Sequence, residues 1–338
     1  MVGYDDQVEG SRLERRKFIW LVGGAAACPL AARAQQTTMP VIGFLSSLSP
    51  GDSGFVLPAF REGLNATGLT EGRNIAIEYR WAEGDFQRLP ALAADLVRRR
   101  VAVIAAISGT PAALAAKAAT TTIPIVFAIG GDPIAPGLVA NLSRPGGNIT
   151  GASFYSSLVA TKRLDLAREF VGQESRIAVL FNPENPPGLA EGRAVQEAAE
   201  AIGQPLQLLR ASTSGQIDDA FTIIEQQRIR AMIVSPDPLF FSERVKLVVL
   251  TARHALPTIF ADREQVEAGG LMSYGASRPE TYRQAGNYAG RIVKGEKPSE
   301  LPVVLPTKFD LLINLKVAKS LRIQIPPTVL ARADEVIE

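Results

Sequence analysis

The chain has 338 residues, a formal net charge of +2 and an ordinary hydrophobic content of 46%. A chain of this length folds as about two domains and can bury large cores without disulfides. The balanced charge argues against a dedicated nucleic-acid-binding protein, which carries a basic patch or stripe. With one cysteine, Cys28, and one histidine, His254, the chain cannot form an intrachain disulfide, and neither a zinc site nor a Cys–His nucleophile pair is favoured.

Residues 1–34 have the pattern of an export signal. Basic residues 15–17 precede an apolar stretch at 18–32, and the Ala-Arg-Ala sequence at 32–34 fits the rule for cleavage between small residues. The apolar stretch is too short and too rich in Gly and Ala to span a membrane. The adjacent arginines resemble a twin-arginine signal, with the general secretory route as the alternative. We expect cleavage near Ala34 and a mature protein in the periplasm.

Removal of this segment changes the composition of the mature chain. Residues 1–34 contain five Lys or Arg and four Asp or Glu, which leaves 31 basic and 30 acidic residues. Cys28 is lost as well, because the residues before it lack the leucine of a lipoprotein signal. The mature chain is therefore nearly neutral and free of cysteine, which suits an oxidising compartment.

From residue 41 onward, short apolar runs alternate with segments of helical periodicity. The runs have strand length, and several are continuous, as in strands buried on both faces of a parallel sheet. They lie at 41–46, 75–81, 101–107, 123–129, 177–182, 205–211, 231–237 and 257–262. Between them, apolar residues recur at helical spacing, as at Leu89, Leu92 and Leu96. This alternation predicts an α/β protein with parallel sheets covered by helices.

The strand–helix series occurs twice along the chain, at about 40–150 and again at 151–275. We predict two Rossmann-like lobes joined by a three-stranded hinge, with a ligand cleft between them. The predicted N-terminal lobe contains residues 39–150 and 276–304, and the C-terminal lobe contains residues 151–275 and 305–338.

Polar loops follow the predicted strands, which is where ligands bind in such folds. The candidate site residues in these loops are Ser46, Ser47, Gly109, Thr110, Asp132, Asn182, Asn185 and Asp237. Free amides and the hydroxyl at Gly109 and Thr110, where an alanine-rich helix begins, can hold a ligand carboxylate. Asp132 or Asp237 can accept a ligand ammonium. The alternative is that these polar, proline-containing loops are ordinary turns.

Aromatic residues near the same loops are candidates for the walls of the cleft. They are Phe154, Tyr155, Phe240, Phe241 and Tyr274. Packing in the core or between the lobes is the alternative role for each of them.

Motifs for nucleotide cofactors and for hydrolysis are missing from the sequence. The chain has neither the G-x-x-x-x-G-K-[ST] pattern of a P-loop nor a G-x-G-x-x-G pattern after its first strand. It also lacks the G-x-S-x-G elbow of the α/β-hydrolases. His254 is expected near a helix end rather than in a catalytic role. We therefore expect a binding protein without a cofactor, and not an enzyme.

The sequence resembles a known family over essentially its whole length. The segments that carry the resemblance are RRKFIWLVGGAAACPLAARAQQ, FREGLNATGLTEGRNIAIEYRWAEGDFQRLPALAADLV, GTPAALAAKAATTTIPIVFAIGGDP, LSRPGGNITGASF, VLFNPENP, GGLMSYG and LLINLKVAKSLRIQIPPTVLARADEVIE. They are similar to ABC-transporter substrate-binding proteins of the tryptophan/tyrosine-binder type, which have the type I periplasmic binding-protein fold.

The resemblance implies a two-lobed receptor that closes on a small ligand, such as an amino acid, and delivers it to a membrane permease with its ATPase. No nucleic-acid partner is implied, and contact with the membrane would occur only through the permease. Ligand contacts are implied at Ser46, Ser47, Gly109, Thr110, Asp132, Asn182, Asn185, Asp237 and Tyr274. A ligand sensor that is not coupled to transport and an enzyme on the same fold are the alternatives.

Overall fold

The computed structural model describes residues 39–155 and 159–338. The predicted export signal lies outside these ranges. Within them, every helix is too short or too polar to cross a membrane.

The first sheet of the described residues consists of five parallel strands. They are β1 (Val41–Ser46), β2 (Ala76–Trp81), β3 (Val103–Ile107), β4 (Ile125–Ile129) and β5 (Ile149–Ser153). Their spatial order is β2-β1-β3-β4-β5. The first four correspond to the first four apolar runs of the sequence, so this part of the prediction is confirmed.

The second sheet is formed by seven strands of the described chain. They are β6 (Ile177–Phe181), β7 (Leu206–Arg210), β8 (Ala231–Val234), β9 (Thr258–Phe260), β10 (Met272–Ala276), β11 (Phe309–Asn314) and β12 (Glu335–Ile337). Their spatial order is β12-β11-β10-β9-β8-β6-β7. Neighbours are parallel except β10 and β11, which are antiparallel. The second sheet is therefore mixed. Between β10 and β11 the chain passes through the first lobe, so β11 returns to the second sheet without a crossover helix that packs on that sheet.

Helices cover both sheets. In chain order they are α1 (Val56–Asn65), α2 (Leu89–Arg98), α3 (Thr110–Ala119), α4 (Ala160–Val171), α5 (Pro186–Ala201), α6 (Ser214–Gln226), α7 (Pro238–Ser242), α8 (Arg244–Arg253), α9 (Arg263–Glu267), α10 (Arg278–Val293), α11 (Leu315–Ser320) and α12 (Pro327–Leu330). Single 3₁₀ turns lie at Phe86–Arg88 and Pro298–Glu300. The loop-to-helix transition predicted at Gly109 is confirmed, since α3 begins at Thr110.

The apolar strands fill a hydrophobic core on each face of their sheet. On β1, Ile42 and Phe44 contact the core that α1 and α10 cover, whereas Leu45 points into the core under α2 and α3. All three side chains are fully buried. Successive side chains of a strand point to opposite faces. The continuous apolar runs therefore do mark strands buried on both faces.

The chain passes between the two sheets three times. The passages lie between β5 and α4, between β10 and α10, and between Val304 and β11. Val304 pairs with Ala152 of β5, so two of the passages run side by side. The boundary that we predicted between residues 150 and 151 falls inside β5, because the first sheet continues to Ser153.

A buried ion pair fixes the helices of the second lobe to its hinge strand. Arg163 of α4 pairs with Glu191 of α5 at 2.7 Å, and both side chains are fully buried. The same guanidinium donates a hydrogen bond of 3.0 Å to the backbone oxygen of Tyr274 in β10. Two helices and the strand that leads out of the lobe are therefore held together by one arginine.

Helix α10 is attached to the first lobe through a close crossing with α1. A Cβ at Gly63 of α1 would collide with the carbonyl oxygen of Arg283, and a Cβ at Gly286 of α10 would collide with that of Phe60. Glycine at both positions lets the two backbones touch. This contact fixes the start of α10, which carries Arg278 at its first residue.

We expect Gly286→Ala to lower the free energy of unfolding by about 1–3 kcal/mol or more, because the added methyl group must push two helices apart. Gly215 is the matched control, since it lies in α6 with open space where a Cβ would stand. Gly215→Ala should leave the stability unchanged or raise it by about 0.5–1 kcal/mol. Urea denaturation measures both. Equal effects of the two substitutions would contradict the close crossing.

Candidate functional site

The loop after β3 has a backbone that favours glycine. Ser108 has a φ of +62° and Gly109 a φ of +149°, and α3 then begins at Thr110 with Pro111 in its first turn. A Cβ at position 109 would lie 2.8 Å from the hydroxyl oxygen of Ser47, which follows the neighbouring strand β1. The loop therefore brings the Ser47 and Thr110 hydroxyls to the start of a helix, where backbone amides point outward and favour an anion.

Both hydroxyls are buried and have no hydrogen-bond partner among the described residues. This holds for Oγ of Ser47 and for Oγ1 of Thr110. A buried hydroxyl without a partner is unfavourable by about 1–3 kcal/mol. Such groups are expected where a ligand supplies the missing hydrogen bond.

In the second lobe, Asp237 lies at the centre of a polar cluster. Its carboxylate accepts hydrogen bonds from the side-chain amides of Asn182 (3.2 Å) and Asn185 (2.7 Å). It also accepts one from the backbone N–H of Leu239 (2.8 Å), which places Asp237 as the N-cap of α7. Asn182 follows β6 and Asp237 follows its neighbour β8, so the pairing of these strands brings the two loops together.

Burial makes the Asp237 carboxyl a weaker acid than usual. The side chain is 5% exposed, and burial raises its pKa to about 6 against the lowering effect of the three hydrogen bonds. The negative charge of Asp262 raises the pKa further. Near neutral pH the group is a buried carboxylate with one oxygen lone pair still available, which suits a cationic group of a ligand.

The two polar clusters border one cavity between the lobes. The empty space in it, including open solvent, is about 340 Å³. The residues around it are Ser108, Gly109, Thr110, Gly130, Phe154, Asn185, Pro187, Pro236, Asp237, Pro238, Asp262 and Arg278. Hydroxyl and amide donors from the first lobe thus lie across the cavity from carboxylate and amide groups of the second.

Of the predicted site residues, Gly109, Thr110, Asn185 and Asp237 line this cavity directly. Asn182 contributes through its hydrogen bond to the Asp237 carboxylate.

Three further predicted residues have other contacts. Oγ of Ser46 accepts a hydrogen bond from the backbone N–H of Leu48 at 3.1 Å. Asp132 accepts one from the N–H of Ile134 at 2.7 Å and lies in a neighbouring pocket that shares Thr110. Tyr274 packs against the hydrophobic core of the second lobe.

The aromatic candidates also separate. Phe154 lines the cavity, and Phe240 is fully buried in the core of the second lobe. Phe241 packs against Phe55 of the first lobe with ring centroids 5.5 Å apart. Burial and the neighbouring Asp132 carboxylate raise the pKa of the Tyr155 hydroxyl.

Sequence reasoning missed Arg278, whose side chain borders the cavity and is 6% exposed. It forms an ion pair of 2.9 Å with Asp262, which is 4% exposed. Arg278 is the first residue after the passage from β10 to α10, and this position next to the hinge is the one clue that the sequence offers.

Contacts between the lobes also occur outside the cavity. Asp52 of the first lobe accepts hydrogen bonds from the hydroxyl of Ser242 (2.8 Å) and from the guanidinium of Arg244 (3.1 Å), both in the second lobe. Burial of Asp52 raises its pKa, but hydrogen bonds from Ser49, Ser242 and Arg244 outweigh burial and lower the pKa overall. These contacts hold the two lobes together on the side of Phe55 and Phe241.

Metal-binding clusters are not found in this part of the protein. No group of three or more His, Cys, Asp or Glu in residues 39–155 and 159–338 is arranged to hold a metal ion. His254 is the C-cap of α8, and the centroid of its ring lies 5.6 Å from that of Phe221 in the second lobe.

Solved structures of similar proteins have the same fold as this chain. The chain is 26% identical to an ABC domain from Streptococcus pneumonia in complex with L-Trp, with a TM-score of 0.80 over 89% of this chain and 100% of that one. It is also 26% identical to a substrate binding protein with adhesive properties from Clostridium difficile in its ligand-free, open structure. There the TM-score is 0.62 over 88% of this chain and 99% of that one. At equal identity, the chain is therefore more similar in structure to the complex with L-Trp than to the ligand-free, open structure.

Sequence comparisons agree with the structural ones. A tyrosine-binding protein of Clostridioides difficile (strain R20291) is 27% identical over 278 residues, which are 82% of this chain and 78% of that protein. The family model for ABC transporter substrate binding proteins matches residues 55–337. The fold is that of the type I periplasmic binding proteins. The chain belongs to the ABC transporter substrate binding protein family.

Proposed function

We propose that this protein captures an amino acid or a similar small carboxylate outside the cytoplasm and delivers it to a membrane permease that is driven by an ATPase. The observation that carries the proposal is the cavity between the lobes, which is lined by Thr110 with its unpartnered hydroxyl and by Asp237 with its buried carboxylate. Two similar proteins, one of them tyrosine-binding and the other solved in complex with L-Trp, support an amino acid as the ligand class.

In this proposal the ligand carboxylate binds at Ser47, Thr110 and the first amides of α3. Its ammonium binds the Asp237 carboxylate of the other lobe. A ligand held in this way contacts both lobes only when they are closed, so it shifts the population toward the closed state. The ligand is bound and released unchanged, which requires no catalytic group.

Uptake of the ligand tests the transport role. Cells that lack the gene should lose uptake of the labelled amino acid that binds the purified protein. The full chain should restore uptake, whereas a chain without residues 1–34 should not, because we propose that this segment directs export. Binding without any effect on uptake would favour a sensor, and failure of every amino acid and small carboxylate to bind would contradict the proposal.

We expect Thr110→Val to separate binding from stability. The hydroxyl that it removes has no partner in the described residues, so the unliganded protein should be as stable as the wild type or up to about 1 kcal/mol more stable. Ligand affinity should fall about five- to tenfold, because the carboxylate loses one hydrogen bond. Calorimetric titration and urea denaturation measure the two effects.

Thr150→Val is the matched control for that substitution. Oγ1 of Thr150 is buried in the same lobe but donates a hydrogen bond of 2.6 Å to the carbonyl oxygen of Leu301. This variant should lose about 1 kcal/mol of stability and keep its affinity. The carboxylate site is wrong if Thr110→Val binds like the wild type.

Ligand affinity should also depend on pH through Asp237. Its pKa is raised to about 6, so at pH 5 the carboxyl is mostly protonated and cannot pair with an ammonium. We expect affinity to be roughly tenfold weaker at pH 5 than at pH 7.5. The folding stability of the unliganded protein should change with pH in the opposite direction to ligand affinity, because the folded state holds the Asp237 proton more tightly than the unfolded state does. The contribution of the raised pKa to stability is present below pH 3.8 and is lost as the pH rises through about 6.

Asp237→Asn isolates this effect from other acids that titrate in the same pH range. Glu264 has a pKa raised by burial to about 7 and therefore titrates in the same range. The variant should bind at least tenfold more weakly at pH 7.5 and lose the pH dependence between 5 and 7.5. An unchanged pH profile in the variant would assign the effect to another group.

A further inference from the structure

The side chain of Arg278 occupies an aromatic enclosure at the edge of the cavity. Its guanidinium carbon lies 4.7 Å from the ring centroid of Phe241, 5.3 Å from those of Phe55 and Phe154, and 5.8 Å from that of Tyr282. Rings at these distances attract a cation through their quadrupoles, and more strongly when water is excluded. The enclosure is therefore filled by a residue of the protein itself.

Polar contacts fix Arg278 in this place. Its Nη1 lies 2.9 Å from Oδ2 of Asp262, and its Nη2 donates a hydrogen bond of 2.9 Å to the hydroxyl of Tyr282. Burial alone would lower the pKa of the guanidinium, but the charges of Asp262, Tyr282 and Glu264 raise it, so the group stays protonated. Displacing Arg278 would leave the Asp262 carboxylate buried without a counterion, which is strongly unfavourable.

Two nitrogens of Arg278, Nε and Nη1, have no hydrogen-bond partner among the described residues, although Nη1 lies within ion-pair distance of Asp262. Nε has no ion-pair partner either, and the side chain that carries it borders the cavity with Phe154 and Asp237. A buried N–H donor of a charged group is unfavourable when it is left without an acceptor. A ligand in the cavity can therefore supply the missing hydrogen-bond acceptor for Arg278.

We propose that Arg278 determines which amino acid the protein binds. With the enclosure filled, the ligand has a short side chain that ends in a hydrogen-bond acceptor for Nε of Arg278, and indole and phenol side chains are excluded. An amide side chain, as in glutamine or asparagine, fits better than a carboxylate, because Asp262 already neutralises the guanidinium. This inference rests on the proposed function.

The sign of the local charge supports the amide. The charges of Asp262 and Glu264 act on Arg278, and Asp237 lines the same cavity as Asp262. A carboxylate side chain would meet more negative than positive charge there. A neutral amide oxygen can accept the Nε hydrogen bond without that repulsion. A site built around such a hydrogen bond discriminates strongly against ligands that lack the acceptor.

Calorimetric titration with glutamine, asparagine, glutamate, tryptophan and tyrosine tests the proposal on the mature protein. The wild type should bind glutamine or asparagine at least tenfold more tightly than tryptophan or tyrosine. In Arg278→Leu this order should reverse, because the enclosure then accepts an aromatic ring. The proposal is overturned if the wild type binds tryptophan or tyrosine as tightly as the amides, or if Arg278→Leu keeps the wild-type order.

Arg291→Leu is the matched control. Arg291 lies on the same helix, stands 5.4 Å from the ring of Tyr288 and pairs with Glu296, but it is 39% exposed and does not line the cavity. It should keep the wild-type order of ligands. If Arg278→Leu does not fold, as judged by circular dichroism, the double variant Arg278→Met with Asp262→Asn removes both charges and should show the same reversal.

The experiment also separates this inference from the function on which it rests. If the wild type binds an amino acid of another class, such as an aromatic one, the proposed function stands and the role of Arg278 is wrong. If no amino acid binds to the wild type or to either variant, the proposed function itself fails, and the inference fails with it.

Discussion

The polar groups of the cleft meet because each lobe presents the carboxyl edge of its parallel strands to the other lobe. Side chains that follow β1 and β3 approach from the first lobe, and side chains that follow β6 and β8 approach from the second. Residues more than 100 positions apart in sequence, such as Thr110 and Asp237, thereby line one cavity. The hinge passages and the attachment of α10 to α1 serve this arrangement, because they fix where each edge lies.

The cleft concentrates groups that are unfavourable in the unliganded protein. Two buried hydroxyls have no partner in the described residues, and the Asp237 carboxylate is buried with a raised pKa. The apolar cores of the described residues offset these costs. A ligand that supplies the missing partners relieves the strain only while both lobes touch it. This is a physical reason for coupling between ligand capture and closure.

Much of the fold could be predicted from the sequence, because continuous apolar runs and helical periodicity are local properties. The loop at Gly109 was also predictable, since a glycine, a threonine and a proline between a buried run and an alanine-rich segment indicate a helix start. The second sheet was harder, because the antiparallel entry of β11 depends on where the chain returns from the first lobe.

The contacts of the site were less predictable than its location. The sequence places Asp237 after a strand, but its hydrogen bonds to Asn182 and Asn185 depend on the spatial pairing of β6 with β8. Arg278 could not be recognised, since its enclosure combines rings from α1, the loop after β5, α7 and α10. Such a site is defined by the tertiary fold and has no local pattern.

The central claim is that one small ligand is held by groups from both lobes. A crystal structure of the protein with the amino acid that binds it most tightly tests this directly. The account predicts ligand density in the cavity, with a carboxylate at the Thr110 hydroxyl and an ammonium at the Asp237 carboxylate. Ligand density at another place, or contacts with one lobe only, would contradict it.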